Sequence, residues 1–180
     1  GEVGVDRQLA ELDAALAGGL RLVQVRESTL DGATREQFAR DVTRRVQACG
    51  GLVLINGDIA LAHAVRADGV HFPARQLAML DARPDSAWVG ASCHDRAELE
   101  HAAMLGLDYG LLGPVTETQT HPDRAALGWA RFTELAAGLP MPVLALGGLD
   151  WGAMEYALDM GAHGIAGIRG IWGADRRGPS

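Results

Sequence analysis

The sequence predicts an α/β fold built as a TIM (β/α)8 barrel, with the first strand expected to be absent from this chain. Three observations point there. Short apolar runs of strand length alternate with helical periodicities along the 180 residues. Those runs are apolar throughout, as strands are in a parallel sheet covered on both faces. Polar or small residues then recur just after one strand after another, and a barrel collects such groups at its mouth. An open doubly wound sheet is the competing architecture, and it would concentrate them at one switch point instead.

The elements follow in order. Val5, Leu9, Leu12 and Leu16 repeat at helical spacing and stop at Gly18-Gly19, before the strand LRLVQV. Thr34 is expected to cap a helix carrying Phe38, Val42 and Val46, which ends at Gly50-Gly51 before the strand LVLI. A shorter helix over 58–67, with Asp58 placed to cap it, leads to GVHF, and a helix over 74–83 leads to WVGAS. Asp95 caps a helix with Leu99, Ala102 and Ala103 that ends at Gly106, before LDYGLLG. Helices over 129–138 and 150–160 bracket PVLALGG, and HGIAGI is the last strand, making about seven in all. The chain begins in a helix where a barrel begins with a strand. Residues 1–172 form one barrel domain in this reading, and 173–180 a tail.

Composition removes several classes of function. Acidic residues outnumber basic ones, 23 to 16, for a net charge of -7, and no basic run would track a nucleic-acid backbone. Every cation is an arginine, so there is no lysine for Schiff-base chemistry. Cys49 and Cys93 make neither a metal-type pair nor a disulfide framework, which fits a reducing, cytoplasmic setting. No apolar run reaches membrane-spanning length, and the N-terminus carries no signal-peptide pattern.

Strand ends supply the candidate site. Gln24 and Arg26 lie two apart on a strand and so share a face. An inward arginine is costly unless it meets an anion, and its fork suits phosphate or carboxylate; the competing reading is a salt bridge to Glu27 or another acid. Gly147-Gly148 and Gly167-Ile168-Arg169-Gly170 follow late strands, where backbone N–H groups of such barrels cradle phosphate, though glycines also simply make turns. The loop 113–129 is long and rich in hydroxyls, with Thr118, Thr120 and His121 as candidates to close over a ligand. His71, His94 and His121 follow different strands and lack metal-ligand spacing with acids, so packing is the default for each. Ser92 has no nucleophile elbow, and Cys93 is expected to pack rather than react.

Taken in order, VQVRE, IN before Gly-Asp, ADGVHF, VGASCH, DYGLLGPVTET, LALGGL and GAHGIAGI resemble the thiamine phosphate synthase and TenI family over residues 7 to 172. The resemblance implies a TIM barrel in thiamine biosynthesis or salvage, binding a phosphorylated pyrimidine or thiazole. In the synthases, a pyrimidine diphosphate is joined to a thiazole phosphate, with magnesium balancing the diphosphate. Gln24 would then lie near the pyrimidine, Arg26 and Asn56 near the diphosphate, and Ser92, Thr118 and Thr120 around the substrates. Gly148, Ile168 and the backbone at Arg169 would hold the thiazole phosphate. Catalysis would rest on Arg26, Ser92 and His121.

Departures from the family pattern at six positions set the alternatives. Ser28 and His121 replace two lysines, and Gly57 and Gln76 stand where the magnesium carboxylates are expected, so magnesium belongs to this reading only if synthase activity is retained. Arg169 replaces a serine of the last phosphate loop, and Pro114 stands where a TenI-type thiazole tautomerase has its histidine. One alternative is therefore a non-catalytic sensing module, since a similar region forms the C-terminal half of some bacterial Nudix hydrolase fusions. A tautomerase-like isomerase is the other.

Overall fold

A computed structural model describes residues 2–27, 29–117 and 125–167, with no account of the side chains of Glu2 and Val3. Seven parallel strands lie in chain order within one sheet: β1 (Leu22–Val25), β2 (Leu52–Asn56), β3 (Gly69–Phe72), β4 (Trp88–Cys93), β5 (Tyr109–Leu112), β6 (Val143–Leu146) and β7 (Ile165–Ala166). An order without reversal is that of a barrel rather than a doubly wound sheet, which reverses at its switch point. Helices fill the connections: α1 (Glu2–Ala17), α2 (Gly32–Ala48), α3 (Ile59–Val65), α4 (Ala74–Leu77), α5 (Arg96–Met104), α6 (Trp129–Ala136) and α7 (Met154–Asp159), the last entered through a 3-10 turn at Trp151–Ala153. No helix among the described residues is long and apolar enough to cross a membrane.

The chain divides into two compact units, Gly1–His71 with Asp85–Val89, and Phe72–Pro84 with Gly90–Ser180. In the first, β1 pairs with β2 from Leu22↔Leu52 to Val25↔Ile55, and β2 with β3 from Leu54↔Gly69 to Asn56↔His71. Side chains alternate across a strand, so Val23, Val25, Val53, Ile55 and Val70 share the face opposite to Gln24, Asn56 and His71. All five valines and isoleucines are buried, with Phe38, Val42 and Val46 of α2 also in the core. Burial of three such side chains contributes roughly 1.5–3 kcal/mol each, which is what holds the helix to the sheet.

The second unit repeats the plan, with Gly90↔Tyr109 to Cys93↔Leu112 joining β4 to β5, and Gly110↔Val143 to Leu112↔Ala145 joining β5 to β6. Tyr109 fills the space that Gly90 leaves open. A Cβ at Gly90 would stand 2.2 Å from the Tyr109 ring, so glycine is required there for packing. Burial raises the Tyr109 phenol well above its ordinary value, aided by the charge of Asp108.

Two expectations are corrected. The cap of α2 is Asp31, not Thr34: the Asp31 carboxylate accepts the Thr34 N–H and hydroxyl, each at 3.0 Å. A carboxylate takes both donors at once, whereas Thr34 as cap would place only one oxygen. The Asp31 carboxyl is accordingly held below its usual range, chiefly by the Thr34 N–H. The helix expected over 74–83 is one turn, Ala74–Leu77. Arg83 explains part of this, since it reaches the Gly106 carbonyl at 2.6 Å and Asp108 at 2.8 Å, and the following Pro84 disfavours helical backbone at Arg83. The expected caps Asp58 and Asp95 are found, accepting the N–H groups of Leu61 and Glu98 at 2.9 Å.

Candidate functional site

In the first unit the polar groups stand at the C-terminal ends of three adjacent strands. Gln24 donates through Nε2 to Asn56 Oδ1 at 2.7 Å, tying the end of β1 to the end of β2. One residue pair further across, Asn56 is in register with His71, whose side chain is fully buried. Burial pushes the His71 imidazole down to about 3, and the nearby charge of Arg26 pushes the same way. His71 is therefore a neutral ring at ordinary pH, able to hydrogen bond but not to carry charge.

Arg26 lies just beyond β1 and is exposed. The Glu27 carboxylate is engaged elsewhere, accepting from Gln8 Nε2 at 3.3 Å and Thr29 Oγ1 at 3.1 Å. Among the described residues no carboxylate pairs with Arg26, and the salt bridge weighed from sequence does not form. A solvated guanidinium offers a planar fork of donors whose geometry suits an anion.

The same strand ends do not fit magnesium. Gly57 turns the chain after β2 with φ 66° and donates its N–H to the His71 carbonyl at 2.9 Å, but has no side chain to ligate. The neighbouring Asp58 is one position along and doubly occupied: Oδ1 caps α3, and Oδ2 takes Arg35 Nη1 at 2.9 Å. Among the described residues no three His, Cys, Asp or Glu side chains group to hold a metal ion. In the second unit, Gln76 offers an amide where the resemblance expects a carboxylate.

The second unit presents its own strand ends. Ser92 shares its face of β4 with Gly90 and is half-buried in register with Leu111. His94, two residues on, is held by one oxygen of Glu98, which accepts its backbone N–H at 2.6 Å and lies 3.1 Å from Nδ1. Cys93 points to the opposite face, and burial pushes its thiol up to about 12, so it is a packing residue. Pro114 offers no proton to move. Gly147 and Gly148 follow β6 with φ 108° and 65°, buried and exposed respectively.

Thr116, which the sequence does not single out, joins the loops after β5 and β6. Its hydroxyl donates to the Gly147 carbonyl at 2.8 Å, and its position before the Thr-x-Thr of the long loop gave no signal in sequence. Ser28, Thr118, Thr120, His121, Ile168 and Arg169, and the tail 173–180, lie outside the described residues.

Parallel strands in chain order, alternating with helices along the described residues, define a TIM-barrel type of α/β protein. The family model described as thiamine monophosphate synthase (TMP-TENI) matches residues 2–171, and the chain belongs to that family. It is 38% identical over 173 residues to the thiamine-phosphate synthase of Chromobacterium violaceum, covering 94% of this chain and 83% of that protein. Against the synthase of Thermobifida fusca the identity is 40%, over 93% of this chain and 79% of the other. The synthases of Thermosynechococcus vestitus and Nostoc punctiforme are 38% and 34% identical, and the chain spans about half of each, 49%. A solved structure, the thiamine phosphate pyrophosphorylase from Pyrococcus furiosus, superposes with a TM-score of 0.75 at 22% identity, covering 89% of this chain and 78% of that one. That likeness supports the fold.

Proposed function

We propose that the chain binds the phosphorylated precursors or product of thiamine phosphate synthesis, with anion recognition by Arg26 as its central act. The observation that carries this is the exposed Arg26, without a carboxylate partner among the described residues, two residues along the chain from Gln24 of the Gln24–Asn56 hydrogen bond. Gln24 and Asn56 would read a polar heterocycle and the linkage to its diphosphate. The Gly147-Gly148 backbone of the second unit would receive a phosphate. If the pyrimidine is transferred, Arg26 stabilises the negative charge that develops on the departing diphosphate, a role for a fixed cation that needs no proton transfer. Ser92 and His121 complete the proposed catalytic set, and Thr118, Thr120, Ile168 and Arg169 the ligand contacts.

A second reading is favoured by a specific observation. Gly57 and the occupied Asp58 leave diphosphate without a metal at the end of β2, which suits a ligand-sensing module, including one fused to a Nudix hydrolase, better than an efficient synthase. Calorimetric titration with pyrophosphate and with thiamine phosphate, each with and without magnesium, separates the two when paired with turnover of the two precursors. Binding with turnover establishes the synthase, and binding without turnover establishes the module. Absence of binding to both ligands overturns the anion site itself.

A further inference from the structure

We infer that Thr116 is a positioning residue that fixes the Gly147–Gly148 peptide so that the Gly148 N–H is held out toward a phosphate. The inference rests on the phosphate reading of these glycines and adds the group that orients them.

The two loops after β5 and β6 are laced together. Val115 N–H donates to the Leu146 carbonyl at 2.8 Å, and the next residue places two donors at the next carbonyl: the Thr116 hydroxyl at 2.8 Å and its N–H at 3.4 Å from Gly147 O. In a trans peptide the C=O and the following N–H point in opposite directions. Anchoring the Gly147 oxygen toward Thr116 therefore turns the Gly148 N–H away from it. Gly148 is exposed, and among the described residues no acceptor takes that N–H.

An anchor is needed because of the glycines themselves. A peptide flanked by two glycines at positive φ rotates with little steric resistance, so without a tether its N–H would sample both directions. The fit is also close: a Cβ on Gly148 would stand 2.2 Å from Thr116 Oγ1 and 2.6 Å from the Glu117 carbonyl. The hydroxyl thus occupies the space that the glycine leaves, and the two positions are matched.

Nitrogen-15 NMR titration of the full chain with inorganic phosphate tests this, reading the Gly148 amide shift and the dissociation constant. Thr116→Val removes the hydroxyl and keeps the shape; Thr116→Ser keeps the hydroxyl. The expected result is a phosphate-dependent Gly148 shift in the wild type, a dissociation constant raised roughly three- to tenfold in T116V for one lost hydrogen bond, and recovery in T116S. Equal binding by wild type and T116V overturns the role of Thr116 while leaving the phosphate site standing. If T116S binds as weakly as T116V, the hydroxyl is not the cause and the inference fails. No phosphate response at Gly148 in the wild type removes the phosphate reading and this inference with it.

Discussion

Arg26 is available because its neighbour is not. Glu27 is spent on Gln8 and Thr29, so replacing Arg26 would remove the proposed anion contact without orphaning a carboxylate. Arg26→Gln is expected to weaken pyrophosphate binding by about 10- to 100-fold, the loss of one charge-assisted hydrogen bond, with an unchanged thermal midpoint. Calorimetry and a melting curve on the same sample check both halves, and a falling midpoint would mean that the arginine is structural. His71 makes the opposite prediction. Its folded value of about 3 lies below the ordinary 6.5, so between those values the unfolded chain binds the extra proton and stability falls as pH falls. From pH 7 to pH 4.5 the wild type should lose about 2–3 kcal/mol to this group. His71→Asn should flatten that part of the pH profile in urea denaturation, and an unaltered slope would show the ring to be ionised or exposed. The strand-end position of Gln24 and Arg26 was legible in sequence because an apolar run of strand length stops there. The neutrality of His71 was not, since it depends on burial, which the composition of one strand does not reveal.

Helix α3 depends on one carboxylate with two tasks. Asp58 caps it through Oδ1 and binds Arg35 through Oδ2, with both side chains about 30% exposed, 29% and 32%. Asp58→Asn keeps the cap and loses a half-screened ion pair, costing less than about 1 kcal/mol, whereas Asp58→Ala loses both and should cost about 1–2 kcal/mol. Urea midpoints of the two variants measure this, and equal losses would show that the cap contributes nothing. The cap positions show where sequence reading succeeds at this scale. Asp58 and Asp95 precede helical periodicity and were legible, while at α2 the sequence points to Thr34 and the cap stands three residues earlier, at Asp31. Only the geometry shows that the aspartate accepts and the threonine donates. The one-turn α4 was misread because its periodicity continues past Leu77, while the tie that holds Arg83 to Asp108 spans 25 residues of sequence.

At the scale of the molecule the architecture was legible because its unit is repeated: a strand and helix pattern that recurs seven times leaves few topologies to choose from. What the strand ends bind was not equally legible, because it depends on single residues that interrupt the pattern. Gly57 is the sharpest case. Its position after Asn56, with Asp58 already committed to Arg35, leaves the end of β2 without a free carboxylate. Pyrophosphate binding by the wild type should therefore be nearly insensitive to magnesium. Gly57→Asp adds a carboxylate at a backbone φ of 66°, which aspartate adopts at a cost of about 1 kcal/mol. With magnesium present, this variant should bind pyrophosphate about tenfold more tightly than without it, a gain of about 1.4 kcal/mol. Calorimetric titration of both proteins with and without magnesium reads the difference directly. An equal magnesium gain in the wild type would mean that the ion is held by pyrophosphate oxygens and other groups, and that the missing carboxylate at Gly57 does not limit magnesium-dependent binding.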